Sequence, residues 1–185
     1  LALYIVPYVL ILTLELSTFS TLILWGLIGF GMSGIGLSVM HDANHNAYSK
    51  NKKVNKWIGY LLNILGGFDL NWRIQHNVLH HTYTNIIGMD EDVDAGIILR
   101  FTKDQNLKSY HKLQHIYAWF LYGLLTISWL VSKDVIQLFK YHKKGLLKTQ
   151  GISFAKAATS LIFWKSIYVF FIFFLPTLIT GKLGV

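Results

Sequence analysis

Residues 1–40 read LALYIVPYVLILTLELSTFSTLILWGLIGFGMSGIGLSVM, and Glu15 is the only charged side chain in the whole stretch. The polar cluster Ser17, Thr18, Ser20 and Thr21 divides it into two apolar segments. Each approaches the roughly 20 residues that a helix needs to cross a ~30 Å hydrocarbon core, so a tight hairpin of two membrane helices is expected. The composition agrees: of 185 residues 53% are hydrophobic and 14% charged, against roughly 25% charged in soluble domains, and the mean hydropathy is +0.42. A protein of this size has no core large enough to hide so many contiguous apolar residues, and lipid is the expected solvent. Leu1 lies inside an apolar run with no Met or basic stretch before it, so no signal peptide is recognised and the N-terminus reads as truncated or processed.

Outward from this hairpin, Lys50, Lys52, Lys53 and Lys56 follow at once, and lysines packed that near a helix end mark the cytoplasmic side. The net charge of +8 lies largely beside apolar segments, which fits a membrane surface and leaves no expectation of a nucleic-acid partner. The next apolar run, residues 57–67, would be ~17 Å long as a helix and is too short to cross. Residues 41–115 are therefore expected to form one cytoplasmic, hydrophilic region. Two later stretches, 116–131 and about 157–180 with Lys165 interrupting it, could each span. The lysine-rich linker 133–156 also belongs in the cytoplasm by the positive-inside rule, which conflicts with a crossing at 116–131. Either that stretch lies at the interface or the linker is an exception. The expected fold is all-α: a membrane-embedded bundle of about four apolar helices with a cytoplasmic helical cap. Its parts are a membrane hairpin at 1–40, the cap at 41–115 and further membrane segments at 116–185.

Three tempting patterns fail. Gly29, Gly31 and Gly34 spell a dinucleotide fingerprint, but no strand precedes them, and Gly26, Gly29, Ser33 and Gly36 read instead as a face for close helix packing. Asp90, Asp92 and Asp94 begin like a calcium loop, yet Ala95 holds the position that requires glycine and Phe101 the position that requires glutamate. Glu15 is a lone carboxylate near a helix end, expected to snorkel or cap.

The absence of cysteine excludes disulfides, thiolate metal sites and thiol nucleophiles, so any metal must be held by His, Asp or Glu. The histidines are grouped: His41 and His45 in HDANH, His76, His80 and His81 in HNVLHH, then His111 with His115 and a lone His142. Residues four apart share a helix face, so His41 with His45, and His76 with His80, can each reach one metal. His81 is expected about 100° away on an α-helix, an arrangement that suits ligands for two metals. Two such clusters on one side of the membrane point to a shared metal site, with the boxes converging at the membrane boundary.

HDANH at 41–45 and HNVLHH at 76–81, around a short apolar run, resemble the first two histidine boxes of the integral-membrane fatty acid desaturases. Trp72 and Arg73 before the second box, and HHTYTN followed by GMDEDVD, resemble the front-end and linoleoyl-CoA-type branch. The resemblance implies two non-haem irons and dioxygen removing two hydrogens from an acyl chain to leave a cis double bond. It also implies iron ligands at His41, His45, His76, His80 and His81, with no catalytic residue beyond them. The partners it implies are an acyl-CoA or acyl-lipid substrate, membrane lipid and an electron-donor protein. The family's third box, HxxHH or QxxHH, is not in this sequence, and neither is the cytochrome-b-type domain of some relatives. The chain is therefore expected to be an N-terminal and central fragment, inactive alone, and about one hundred further residues carrying an HxxHH or QxxHH cluster would settle both the family and the fragment reading.

Chemistry agrees with the resemblance, since imidazole suits iron and an unactivated methylene demands an iron–oxygen oxidant. Ligating imidazoles usually donate their other N–H to a carboxylate or carbonyl, and Asp42, Asp90 and Asp92 are the candidates, with Asn44, Asn77 and Asn85 available to the same network. His111 and His115 are weaker ligand candidates outside the boxes, and His142 belongs to a basic face. The rival activities are a hydroxylase of the same superfamily, a membrane metal transporter or metal-binding module, and a haem anchor. Transport ligands belong inside the bilayer, whereas the second box lies in a hydrophilic region, and a haem anchor would pair single histidines on facing helices.

Overall fold

The computed structural model describes residues 1–94 and 96–181; Ala95, at the turn position of the failed calcium loop, and residues 182–185 lie outside them. In chain order the helices are α1 (Ala2–Thr13), α2 (Thr18–Asn44), α3 (Lys52–Gly59), α4 (Leu61–Ile64), α5 (residues 69–83), α6 (Ser109–Gly123), α7 (Leu125–Lys143), α8 (Leu146–Thr149) and α9 (Phe154–Thr180). Among the described residues there is no strand. The chain divides into two compact units: Leu1–Gly66 with the described part of Ile162–Val185, and Gly67–Leu161.

In the first unit the expected polar break starts α2: Ser17 caps it, its Oγ accepting the Ser20 N–H at 3.2 Å. The helix then runs 27 residues without interruption, passing through Met40 into the first histidine box as the sequence predicts. Residues Ile35–Val39 are π-helical, with the Met40 N–H donating to the Ile35 carbonyl five residues back. Ile28, Gly31, Ile35 and Met40 are buried, whereas Phe19, Phe30 and Leu37 stand outside, as on a helix meant for an apolar solvent. Close approach to α1 is made by Gly31, where a Cβ would lie 2.8 Å from Leu3 and Tyr4 backbone atoms. The expected small-residue face is corrected: Gly26, Gly29 and Gly36 have open space at the Cβ position, because the buried stripe runs one residue away from theirs.

Residues 57–67 form no long helix; they cover the end of α3, the single turn of α4 and the bend that follows. Lys165, which interrupts the apolar pattern of α9, donates Nζ–H to the Gly66 carbonyl at 2.6 Å. Gly66 has a φ of +91°, and a Cβ there would lie 2.9 Å from the Tyr168 ring, so two separate features call for glycine.

The second unit packs around Phe68, Ile74, Leu138, Tyr141 and Leu147, all nearly inaccessible. Asn71, buried on α5, donates Nδ2–H to the Asp134 carbonyl of α7 at 2.7 Å. Two helices, α2 and α9, are long and apolar enough to cross a membrane; α6 and α7 qualify only as a pair bent by 53°, which would make three. The expected number of about four is not reached among the described residues, because α1 stops after 12 residues, about 18 Å, and Gly123 closes α6.

Candidate metal centre

In the first unit, α2 carries the first box at its end. The rings of His41 and His45 lie 4.6 Å apart between centroids, on one side of the chain as their spacing predicts. His41 Nδ1 faces Asp42 Oδ1 at 3.0 Å, a pair open to solvent. The Ala47 N–H donates to the Asp42 carbonyl at 2.8 Å, and Asn46 takes the left-handed φ of 58° that turns the chain away. Asn44 is buried and donates Nδ2–H to the carbonyls of Met40 (3.0 Å) and Gly59 (3.4 Å), tying the box to α3. A Cβ on Gly59 would lie 2.7 Å from Asn44 Oδ1, so any larger residue there would press on the Asn44 amide.

The second box lies in the second unit, within α5. Residues Arg73–His80 are π-helical, and the His81 N–H donates to the His76 carbonyl five residues back. This corrects the expected direction of His81. Bonding at five residues brings positions five apart toward one file, so His81 does not point away. Its ring centroid lies 4.9 Å from His76 and 5.5 Å from His80, while His76 and His80 stack at 5.1 Å. Trp72 stacks on His76 from the preceding turn, at 4.6 Å. Arg73 reaches back to Asp69 at 3.4 Å.

Carboxylates from the following loop orient this cluster. His76 Nδ1 lies 2.7 Å from Asp92 Oδ2, and His80 Nδ1 lies 3.0 Å from both oxygens of Asp90. An ionised carboxylate only accepts, so each ring presents its Nδ1–H there, which leaves Nε2 as the nitrogen that would face a metal. Asp90 has no exposed side-chain surface. Burial pushes its carboxyl up, but the Asn85 N–H, the His80 ring and the Asp92 N–H outweigh this and hold it below the usual carboxylate value. Asp92 is treated alike: burial raises it, and bonds from His76 and Gln75 bring it down. Asn85 serves through its backbone, at a left-handed φ of 63°, its N–H 2.8 Å from Asp90 Oδ2.

Among the described residues of this unit, His76, His80 and Asp92 can each offer a donor atom within 4.8 Å of the other two. The donor set is nitrogen and oxygen with no thiolate, which fits a non-haem iron, and Asp92 can serve either as its oxygen donor or as the acceptor behind His76. Asn77 lies in the same π-helical turn. His111 uses both ring nitrogens in its own loop, accepting the Lys108 N–H at 3.1 Å and facing the Ile97 carbonyl at 3.1 Å. His115 is exposed near the start of α6, and His142 stacks on Phe154 at 4.6 Å.

The residues that sequence reading missed lie behind Asp92. Gln75 donates Nε2–H to Asp92 Oδ1 at 2.5 Å, and Gln137 of α7 donates to Gln75 Oε1 at 2.5 Å. Beside them Glu91 takes the Tyr141 hydroxyl at 2.6 Å and Lys140 Nζ at 2.7 Å. Burial raises the Glu91 carboxyl, but Lys140, Tyr141 and Gln137 hold it below its ordinary value. Glu91 was visible within DEDVD, but nothing in the sequence joins it to residues about fifty positions later.

Relatives of the chain include an sn-1 linoleoyl-lipid 6-desaturase of Arthrospira platensis, 38% identical over 62% of this chain and 32% of its own length. A protein of the same name from Synechocystis sp. is 32% identical over 80% of this chain and 41% of its own length. A probable Delta(5) fatty acid desaturase C of Dictyostelium discoideum is 37% identical over 76% of this chain and 30% of its own length. The chain thus spans between about a third and two fifths of these relatives. No solved structure matches it. The fatty acid desaturase family profile matches residues 17–183, from the cap of α2 past the end of α9 and through both histidine boxes, and the protein belongs to that family.

Proposed function

We propose that this chain forms part of a membrane-bound fatty acid desaturase, in which His41, His45, His76, His80 and His81 are iron ligands. The observation that carries this reading is the second box: three imidazoles within 5.5 Å of one another, two of them backed by carboxylates at Nδ1. Two bound irons would supply the oxidant: with dioxygen, two electrons and two protons, two hydrogens leave the acyl chain as water and a cis double bond remains. The residues of this chain orient His76 and His80 through the ionised carboxylates of Asp92 and Asp90, and a lipid substrate suits a protein with membrane-capable helices.

The kinship to linoleoyl-lipid desaturases favours an acyl-lipid over an acyl-CoA as the substrate. The electrons come from a donor protein. The boxes face the cytoplasm, as the lysines at 50–56 indicate, in a helical cap on a bundle of about four membrane helices completed by the rest of the protein. The test is product analysis by mass with the full-length protein in lipid. Loss of two hydrogens is the expected result; gain of one oxygen would make the protein a hydroxylase.

A further inference from the structure

Gln75 lies within the π-helical turn of α5 and faces the loop that carries Asp92. Its amide has a single orientation, because Gln137 of α7 is a donor at that point: Gln137 Nε2 has acceptors on two sides, Gln75 Oε1 at 2.5 Å and Glu91 Oε2 at 3.4 Å. With Oε1 taken by a donor, the Nε2 end of Gln75 must face Asp92 Oδ1, which it meets at 2.5 Å. That bond pins one carboxylate oxygen and turns the other, Oδ2, to His76 Nδ1 at 2.7 Å. Gln137 is buried and Asp92 largely so, which makes a mismatch of donors and acceptors costly.

We propose that Gln75 is a positioning residue for His76: its amide, oriented by Gln137, holds Asp92 so that the imidazole keeps its proton on Nδ1 and its lone pair on Nε2. This rests on the iron-ligand reading above for its use, but the tautomer itself does not. Asp92 is also close enough to His76 and His80 for the three to share a metal, and direct ligation by Asp92 is the competing role.

The order of donors and acceptors gives a reciprocal test. In Asp92→Asn, the new amide must either set its NH2 against that of Gln75 or turn the NH2 to His76 and drive the ring proton to Nε2. In Gln75→Glu, a carboxylate opposes the carboxylate of Asp92 and pushes it off His76, although Gln137 keeps its acceptor. In the double variant the order is consistent again: the new amide donates to the new carboxylate, its oxygen accepts the His76 proton, and the total charge equals that of the native protein.

Full-length protein with ¹⁵N-labelled histidine is examined by NMR, the His76 signal being assigned by its loss in His76→Gln, and is then titrated with Co(II). Native protein should show the Nδ1–H tautomer. Each single variant should lose or mix it and bind cobalt roughly 10–100-fold more weakly, and the double variant should recover both. A Gln75→Glu protein unchanged in both readouts, or a double variant as impaired as Asp92→Asn, would overturn the proposal, the latter in favour of Asp92 as a ligand. If the tautomers follow the expected order but no variant binds cobalt, the positioning role stands and the metal site does not.

Discussion

The two histidine boxes share one spacing and differ in everything that supports it. The first ends a helix, and its partner carboxylate, Asp42, is the next residue in sequence and half exposed. The second lies inside a π-helical turn, and its partner carboxylates come from a loop ten and sixteen residues further on. Asp90 there is fully enclosed and takes two backbone N–H groups besides the imidazole. An exposed pair costs little to form and holds little, because water competes for both partners. An enclosed carboxylate with every oxygen occupied has one arrangement, and it passes that rigidity to its histidine. Equal spacing in sequence therefore yields one cluster held by tertiary structure and one held mainly by the end of its helix.

The largest expected effect tests whether the second box ligates at all. His80→Ala in the full-length protein should lose bound iron and all desaturase activity, measured by metal analysis and product mass. Full iron content with full activity would remove His80 from the ligand set and break the comparison. Next, Asp90→Asn should weaken metal binding roughly 10–100-fold, since it removes the acceptor behind His80. It also leaves one of two buried N–H groups poorly satisfied, at about 1–3 kcal/mol of stability read by thermal unfolding.

The first box should respond more to packing than to charge. Gly59→Ala drives a methyl against the Asn44 amide at 2.7 Å and should cost about 1–3 kcal/mol of stability, in the range of overpacked cores. An unchanged unfolding temperature would show that Asn44 yields without loss. Asp42→Asn should be the mildest, changing metal affinity by no more than about 0.2–1 kcal/mol. An effect as large as that of Asp90→Asn would mean that Asp42 is enclosed when metal is bound, and the contrast between the boxes would disappear.

Much of this was legible without coordinates because it depends on neighbours in sequence. The charge-free run before Met40, the Ser17 cap and the four-residue spacing of His41 and His45 act over one or two turns, and α2 follows them into the box. The grouping of histidines ahead of Asp90 and Asp92 likewise announced a cluster of imidazoles with carboxylates at hand. What periodicity could not supply was the π-helical stretch from Arg73 to His80, since the same residues would form an ordinary helix if packing did not insert the extra residue per turn. That insertion turned His81 toward His76. The choice of Gly31 over Gly26, Gly29 and Gly36 for close packing was equally out of reach, because it depends on which face of α2 meets α1. The link from Gln75 to Gln137 joins residues 62 apart, and only the packing of α7 against the second box decides that their amides meet. Local sequence determines which groups are present and which helix faces they share; the direction of each hydrogen bond between distant segments is set when those segments fold together and exclude water.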